Sequence, residues 1–96
     1  MQVLNISTGQ RIRTFGEMGT GLGQFTGARK MCVTKDDKIY ITDANQGQGR
    51  INVYQASGTF LHCVGRLLKA PMAVAVTDLG EVYVCEMMAN RITVLE

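Results

Sequence analysis

A chain of 96 residues with 46% hydrophobic residues is long enough for one small domain and too apolar for intrinsic disorder. Its formal net charge of +2 is too small to indicate, by itself, a protein that binds nucleic acid or a membrane surface. No apolar stretch reaches the roughly 18 residues of a membrane span, and no secretory leader opens the chain. The three cysteines are far apart and form no Cys-x-x-Cys pair, so we expect free thiols and a cytoplasmic location.

The first part of the chain predicts two strands and a glycine-rich turn. The sequence QVLN, at residues 2–5, has the character of a third strand, and residues 10–16 that of a fourth. The segment GTGLGQF, at residues 19–25, carries glycine at alternate positions, as some phosphate-binding loops do. It lacks the Lys of a P-loop, and Thr26 stands where a dinucleotide-binding fingerprint needs a third glycine. We therefore interpret the segment as a sharp turn between two strands.

Four further strands are predicted between residues 31 and 65. The sequences MCVT, KIYIT, RINVY and TFLHCVG are rich in Val, Ile, Tyr and Phe, and Gly, Asn and Asp separate them. The segments KDDK, at residues 35–38, and ASGT, at residues 56–59, predict tight hairpin turns. Because nearly every strand position is apolar, the pattern indicates a sheet that is covered on both faces. No segment sustains the apolar spacing of a helix.

The last third of the chain repeats this pattern. Residues 70–86 align with residues 27–43 at a constant offset of 43, and after a slip of two residues RITVL aligns with RINVY. A period in the forties predicts stacked units that cannot bury their faces alone, as in the blades of a β-propeller. We expect a single domain over residues 1–96, with repeats at approximately 27–65 and 70–96 and with strand 10–16 completing a blade.

The hydrophobic core is predicted from apolar positions that recur in the two copies. The expected buried residues are Val33, Ile39, Ile41, Val53, Val74, Val76, Val82, Val84 and Val94.

The order of these elements resembles the NHL repeat. GTGLGQF, then KIYITDANQGQGRINVY, then SGTFLHCVG follow that family's glycine-rich GQF, I-Y-V-A-D, N-R-I-x-V-F and G-x-F elements. The chain departs from the family at Ala28, where a proline like Pro71 is usual, and at Glu86, where aspartate is usual. The resemblance covers nearly the whole chain. It implies an all-β fold of about two four-stranded antiparallel blades of an NHL-type β-propeller, whose full ring has six blades.

An acid at the end of one strand and an arginine at the start of the next recur in both copies, as Asp43 with Arg50 and Glu86 with Arg91. Across a hairpin, such an arginine–carboxylate bond would pin the turn. A catalytic group is needed once per molecule, so the recurrence favours a structural role. We therefore predict no catalytic residue.

No metal or cofactor is predicted either. His62 is the only histidine, and no cysteines stand at a metal-ligand spacing around it. The segment DANQGQG, at residues 43–49, departs from a calcium loop at two positions that the loop requires.

Basic residues gather near the links between the repeats and along the outer strands. Arg29, Lys30 and Lys69 precede inner strands and are therefore predicted to share one rim. Such a rim suits RNA phosphates or an acidic protein, and the alternative is a solvated edge that discourages strand pairing. The candidate binding residues are Arg11, Arg13, Arg29, Lys30, Arg66 and Lys69.

The NHL resemblance implies a non-catalytic scaffold for protein or RNA recognition. NHL propellers commonly stand at the C-terminal end of tripartite-motif ubiquitin ligases, where they capture the substrate. The alternatives are a fragment of an NHL-like propeller enzyme, either a metal-dependent lyase or a lactone hydrolase, and a fragment of an extracellular sensor propeller. Two blades cannot close a ring, so we expect the remaining blades from a longer chain or from self-association, with three chains for six blades.

Overall fold

The computed structural model describes residues 2–4, 11–14, 17–18, 24–25, 27–44 and 49–95, and nearly all of its regular structure is β-strand. These residues contain no α-helix, and their one helical turn is the 3₁₀ turn Met87–Ala89. The prediction of an all-β chain is therefore confirmed. The strands are β1 (Gln2–Leu4), β2 (Arg11–Thr14), β3 (Glu17–Met18), β4 (Gln24–Phe25), β5 (Ala28–Val33), β6 (Lys38–Asp43), β7 (Gly49–Gln55), β8 (Phe60–Leu68), β9 (Pro71–Val76), β10 (Val82–Glu86) and β11 (Arg91–Leu95).

Two antiparallel sheets contain most of the strands. The first sheet has the order β5-β6-β7-β8, and the second sheet has the order β9-β10-β11. Strands β1 and β2 form a separate antiparallel pair, and β3 and β4 form a short parallel pair. The sequence predicts the groups of two, four and three strands but not the parallel pair. The glycines of residues 19–23, which were interpreted as a turn, lie outside the described residues.

The two sheets open with hairpin turns of the same construction. The Thr34 N–H donates to the Lys38 carbonyl at 2.9 Å, and the Thr77 N–H donates to the Glu81 carbonyl at 2.9 Å. In both turns the threonine hydroxyl also accepts a backbone N–H, from Lys38 at 3.1 Å and from Glu81 at 3.2 Å. Corresponding partners are 43 residues apart in the sequence, so the repeated hairpin is confirmed.

The second sheet packs on one face of the first sheet. Ile51 of β7, Leu68 of β8, and Val82 and Val84 of β10 form the centre of this junction, and each is at most 5% exposed. Burying an aliphatic side chain of this size contributes about 1.5–3 kcal/mol, so the junction is a main source of stability. The residues that surround the centre are Tyr40, Val64, Val74, Val76 and Leu95.

The opposite face of the first sheet is also largely buried. Ile39, Ile41 and Tyr54 are 5%, 1% and 1% exposed. The ring of Phe60 packs beside Tyr54, edge to face, with 5.6 Å between the ring centroids. Strand β7 consequently has buried residues at six consecutive positions. This continuous burial agrees with a sheet that is covered on both faces.

The predicted core is wrong at Val33 and Val94, which are 59% and 47% exposed. Both valines lie in strands at the edge of a sheet, β5 and β11 respectively. Val94 also lies on the face of the second sheet that points away from the first sheet, because it pairs with the exposed Tyr83. The other predicted core residues are buried (Ile39, Ile41, Val53, Val82 and Val84) or half-buried (Val74 and Val76).

Candidate functional site

The stacked sheets have two distinct rims. The hairpin turns of both sheets meet at one of them, where Lys35 Nζ lies 3.1 Å from Asp78 Oδ2 across the two sheets. The starts of β5 and β9 and the ends of β6 and β10 lie at the other. The first will be called the turn rim. The second will be called the basic rim, after its exposed cations Arg29, Lys30 and Lys69.

The two rims carry opposite charge. The turn rim holds four carboxylates and two lysines, Asp36, Asp37, Asp78 and Glu81 with Lys35 and Lys38. At the basic rim, each acid is matched by its own arginine, Asp43 by Arg50 and Glu86 by Arg91. The exposed cations of that rim form no ion pair with any described carboxylate. Their positive charge is therefore free to attract an anionic group.

Asp43 joins three elements at the basic rim. It lies opposite Arg50 in the β6–β7 pairing, and Arg50 Nε donates to Asp43 Oδ2 at 3.3 Å. The other carboxylate oxygen, Oδ1, accepts the Gly27 N–H at 2.8 Å, just before β5 begins. The Asp43 side chain is fully buried and that of Arg50 is 9% exposed. One carboxylate thus fixes the entry of β5 to the β6–β7 pair.

Glu86 has the corresponding role in the second sheet. Its Oε2 accepts the Lys69 N–H at 2.8 Å, just before β9, and its Oε1 accepts Arg91 Nε at 3.1 Å. The Thr93 hydroxyl donates a short hydrogen bond to Oε1. Although glutamate is one methylene longer than Asp43, Glu86 keeps the same contact to the arginine of its own sheet. Glu86 thereby positions the backbone of a basic-rim residue, Lys69.

Thr42 supports the basic rim in a way that sequence reasoning missed. The Thr42 side chain is fully buried, its Oγ1 accepts the Lys30 N–H at 3.0 Å, and its hydroxyl lies 3.4 Å from the Lys30 carbonyl. The register of the β5–β6 pairing shifts between Ala28 and Met31, and Thr42 fills that irregularity. The only signal of this role in the sequence is a polar residue between Ile41 and Asp43. Threonine is common in strands, so its presence there does not predict a special contact.

The remaining predicted binding residues are placed by strand alone. Arg11 and Arg13 belong to β2, and Arg66 belongs to β8. Their side chains lie outside the described part of the structure. Of the six predicted binding residues, the three that the structure places at the basic rim are Arg29 and Lys30, at the start of β5, and Lys69, just before β9.

The cysteines and the histidine form no metal-binding group among the described residues. Cys63 Sγ donates to Asn52 Oδ1 at 3.1 Å, and burial raises the pKa of the Cys32 thiol. His62 and Cys85 are exposed, and neither belongs to a group of three or more metal-ligating side chains within that part of the chain.

A groove lies at the turn rim, between the two hairpins. Its volume is about 580 Å³, and Tyr40, Val33 and Val76 line it together with charged residues of the two turns. Lys35 and Asp78, which also line the groove, form an exposed ion pair between the two turns. Two lysines and two aspartates line this groove, so it lacks the excess of positive charge that marks the basic rim.

We predict that ionised Glu86 stabilises the folded protein and that this contribution is lost at acidic pH. The Thr93 hydroxyl, the Lys69 N–H and the Arg91 guanidinium lower the pKa of Glu86 from 4.5 to about 2. A carboxyl whose pKa is lower in the folded state stabilises fully above its unfolded pKa, and that contribution is lost as pH falls through the folded pKa. Urea denaturation from pH 4.5 down to about 2 should therefore show a smaller loss of stability in Glu86→Gln than in the wild type. Parallel pH curves would contradict the prediction.

Comparison with protein-family models gives no match for this chain, and comparison with curated proteins gives no match either. Among the described residues, no helix is long and apolar enough to cross a membrane.

Proposed function

We propose that this chain is a non-catalytic binding scaffold made of about two NHL-type propeller blades, and that its basic rim binds an acidic segment of another protein. The propeller part of the proposal is supported by two stacked antiparallel sheets whose hairpins repeat every 43 residues. The binding part is supported by one observation above all: Arg29, Lys30 and Lys69 are exposed at a rim where every described acid already has an arginine.

The backbone of the basic rim is well ordered by its own contacts, which favours a preformed site. Thr42 holds the Lys30 backbone and Glu86 holds the Lys69 backbone. Binding to a preformed rim costs less ordering entropy than binding to a loop that must first fold. The cationic side chains are exposed to solvent, so they attract and orient the acidic partner more than they add affinity through buried contacts.

An acidic protein fits this rim better than single-stranded RNA does. Proteins that bind single-stranded RNA usually combine cations with aromatic rings on which bases stack. Among the aromatic side chains that the structure describes, Tyr54 is buried and Phe60 packs against it. Tyr40 borders the groove at the turn rim, and Tyr83 is exposed in the middle of β10. None of these rings stands beside Lys30 or Lys69 in sequence or in strand register. Charge without stacking is the pattern expected for a carboxylate-rich peptide.

Fluorescence anisotropy with a labelled polyglutamate peptide and a labelled single-stranded RNA tests the proposal. The double variant Lys30→Glu with Lys69→Glu should weaken peptide binding about tenfold, which corresponds to about 1.4 kcal/mol. Lys35→Glu with Lys38→Glu is the matched control, because it reverses two lysines at the turn rim and changes the net charge by the same amount. Wild-type binding should also weaken as salt is raised, because exposed charges are screened.

Two results would contradict the proposal. The first is an equal loss of peptide binding in the control variant, Lys35→Glu with Lys38→Glu, which would assign the attraction to overall charge. The second is tighter binding of the RNA than of the peptide at the same salt concentration, which would make the rim an RNA-binding surface.

A further inference from the structure

Three large apolar residues are exposed beside Lys69 at the basic rim. Leu67, near the end of β8, is 64% exposed, and Met87 and Met88, in the 3₁₀ turn after β10, are 53% and 73% exposed. Backbone hydrogen bonds join the two segments. The Met88 N–H donates to the Lys69 carbonyl at 3.2 Å, and the next bond runs from the Met87 N–H to the Ala70 carbonyl at 3.1 Å. We call Leu67, Met87 and Met88 the apolar patch.

The repeat shows that this turn can be built without a methionine at residue 87. At the offset of 43, the residue of the first sheet that corresponds to Met87 is Ala44. The Ala44 N–H donates to the Gly27 carbonyl at 3.0 Å, and this bond is the counterpart of the bond from Met87 to Ala70. A large apolar side chain that stays in water adds little to folding through burial. Binding therefore explains the exposed methionine better than folding does.

The backbone around the apolar patch has an uncommon conformation. Leu67, Ala70 and Asn90 have φ angles of 55°, 53° and 49°, in the left-handed region that residues other than glycine seldom adopt. Such residues cost free energy, and they cluster at sites that bind a ligand or a partner. Lys69 lies between two of them, and its N–H donates to Glu86 Oε2 at 2.8 Å. The patch and its lysine are thus presented on a backbone that is already fixed.

We propose that the apolar patch binds bulky apolar side chains of the same acidic segment whose carboxylates are attracted by the basic rim. This inference rests on the proposed function and adds to it the sequence character of the partner, which mixes acidic residues with apolar residues such as leucine. The charge of the rim selects this partner among apolar ones. Arg29, Lys30 and Lys69 are all exposed there, and an excess of positive charge attracts a segment that carries negative charge.

Methionine is well suited to such a contact. Its unbranched, polarizable side chain adapts to apolar groups of different shapes, and methionine-rich surfaces are used by proteins that bind several sequences. Charge attracts and orients the partner, and apolar burial adds affinity in proportion to the area removed from water. Salt screens the first contribution but not the second. We therefore expect a mixed segment to bind more tightly than a purely acidic one, and to keep this advantage when salt is raised.

Fluorescence anisotropy of the full chain with two labelled peptides tests the inference. The peptides have equal length and equal charge: one alternates glutamate with leucine, and the other alternates glutamate with serine. The wild type should bind the glutamate–leucine peptide about tenfold more tightly, because burying only a few methylene groups gives a difference of this size. The ratio of the two dissociation constants should stay the same as salt is raised.

The double variant Met87→Gln with Met88→Gln isolates the apolar patch. Both residues are more than half exposed and their hydrogen bonds use backbone atoms, so the variant keeps its fold, as circular dichroism will show. It should bind the glutamate–serine peptide like the wild type and lose the preference for the glutamate–leucine peptide. Leu79→Gln with Ile92→Gln is the matched control, because it replaces two exposed apolar residues elsewhere, in the turn at residues 77–80 and on β11. The control should keep the preference.

The other outcomes separate this inference from the proposed function. If the wild type binds both peptides equally and Lys30→Glu with Lys69→Glu weakens both, the proposed function holds and the inference is wrong. A methionine variant that keeps the preference, or a control variant that loses it equally, also overturns the inference, because the apolar contact then lies elsewhere. If reversal of the two lysines changes the binding of neither peptide, the proposed function fails and this inference fails with it.

Discussion

Arg50→Ala is expected to lower the free energy of unfolding by about 3 kcal/mol, since breaking a buried ion pair leaves a charge in a poorly solvated place. The Asp43 side chain is fully buried and that of Arg50 is 9% exposed, with 3.3 Å between Nε and Oδ2. The same carboxylate holds the Gly27 N–H, so the entry of β5 would loosen together with the β6–β7 pair. The sequence alone supports only the loss of one charge-assisted bond, about 1–3 kcal/mol.

The second copy of the pair supplies the control for Arg50→Ala. The Arg91 side chain is 60% exposed, and Glu86 keeps its bonds to Thr93 and to the Lys69 N–H without it. Arg91→Ala should therefore cost less than Arg50→Ala, about 1 kcal/mol, because water reaches the arginine of this pair although Glu86 itself is buried. Equilibrium denaturation of both variants gives the comparison. Equal losses of stability in the two variants would show that burial of the arginine does not set the strength of an acid–arginine pair.

Gly49→Ala is expected to destabilise the protein by about 3 kcal/mol through overpacking. A Cβ at residue 49 would lie 2.4 Å from Pro71 Cδ and 2.6 Å from the Leu68 carbonyl oxygen. Both neighbours belong to rigid groups, a proline ring and a backbone carbonyl, so neither can rotate away. The two sheets would have to separate where β7, β8 and the start of β9 meet.

Gly27→Ala is the matched substitution for Gly49→Ala. A Cβ at residue 27 would lie 3.4 Å from the nearest atom, Ala44 Cβ, which is an ordinary contact distance. Thermal unfolding should therefore place Gly27→Ala near the wild type and Gly49→Ala well below it. If the two variants have the same melting temperature, the protein relieves the close contact at residue 49 with little loss of stability.

Several features of the fold follow from the sequence because they repeat. The hairpin turns recur at one offset, and the acid–arginine pairs recur with them, so their pairing across β6–β7 and β10–β11 can be read from spacing. The repeat also predicts that β5 and β9 start at the same rim. Arg29, Lys30 and Lys69 lie at that rim because they stand at or just before the starts of these strands. These features depend on local strand geometry, which alternation and turn residues encode well.

Other features depend on neighbours that a pattern cannot reveal. Val33 and Val94 have the same strand character as the buried Val53, and they differ only in which sheet lies against them. Thr42 and Thr93 are ordinary strand residues by propensity, yet their hydroxyls hold Lys30 and Glu86. The parallel pair of β3 and β4 is two residues long on each side, too short for alternation to indicate it.

The pairing of strands in the two larger sheets has a consequence for how the chain folds. Every hydrogen-bonded pair in these sheets joins strands that are neighbours in the chain. Short loops close at a small entropic cost, so each sheet can form hairpin by hairpin from local contacts. The junction is different, because it joins residues as distant in sequence as Ile51 and Val84. We therefore expect the cooperative step of folding to be the formation of this junction, where β5 and β6 lie against β9 and where Ile51, Leu68, Val82 and Val84 become buried together.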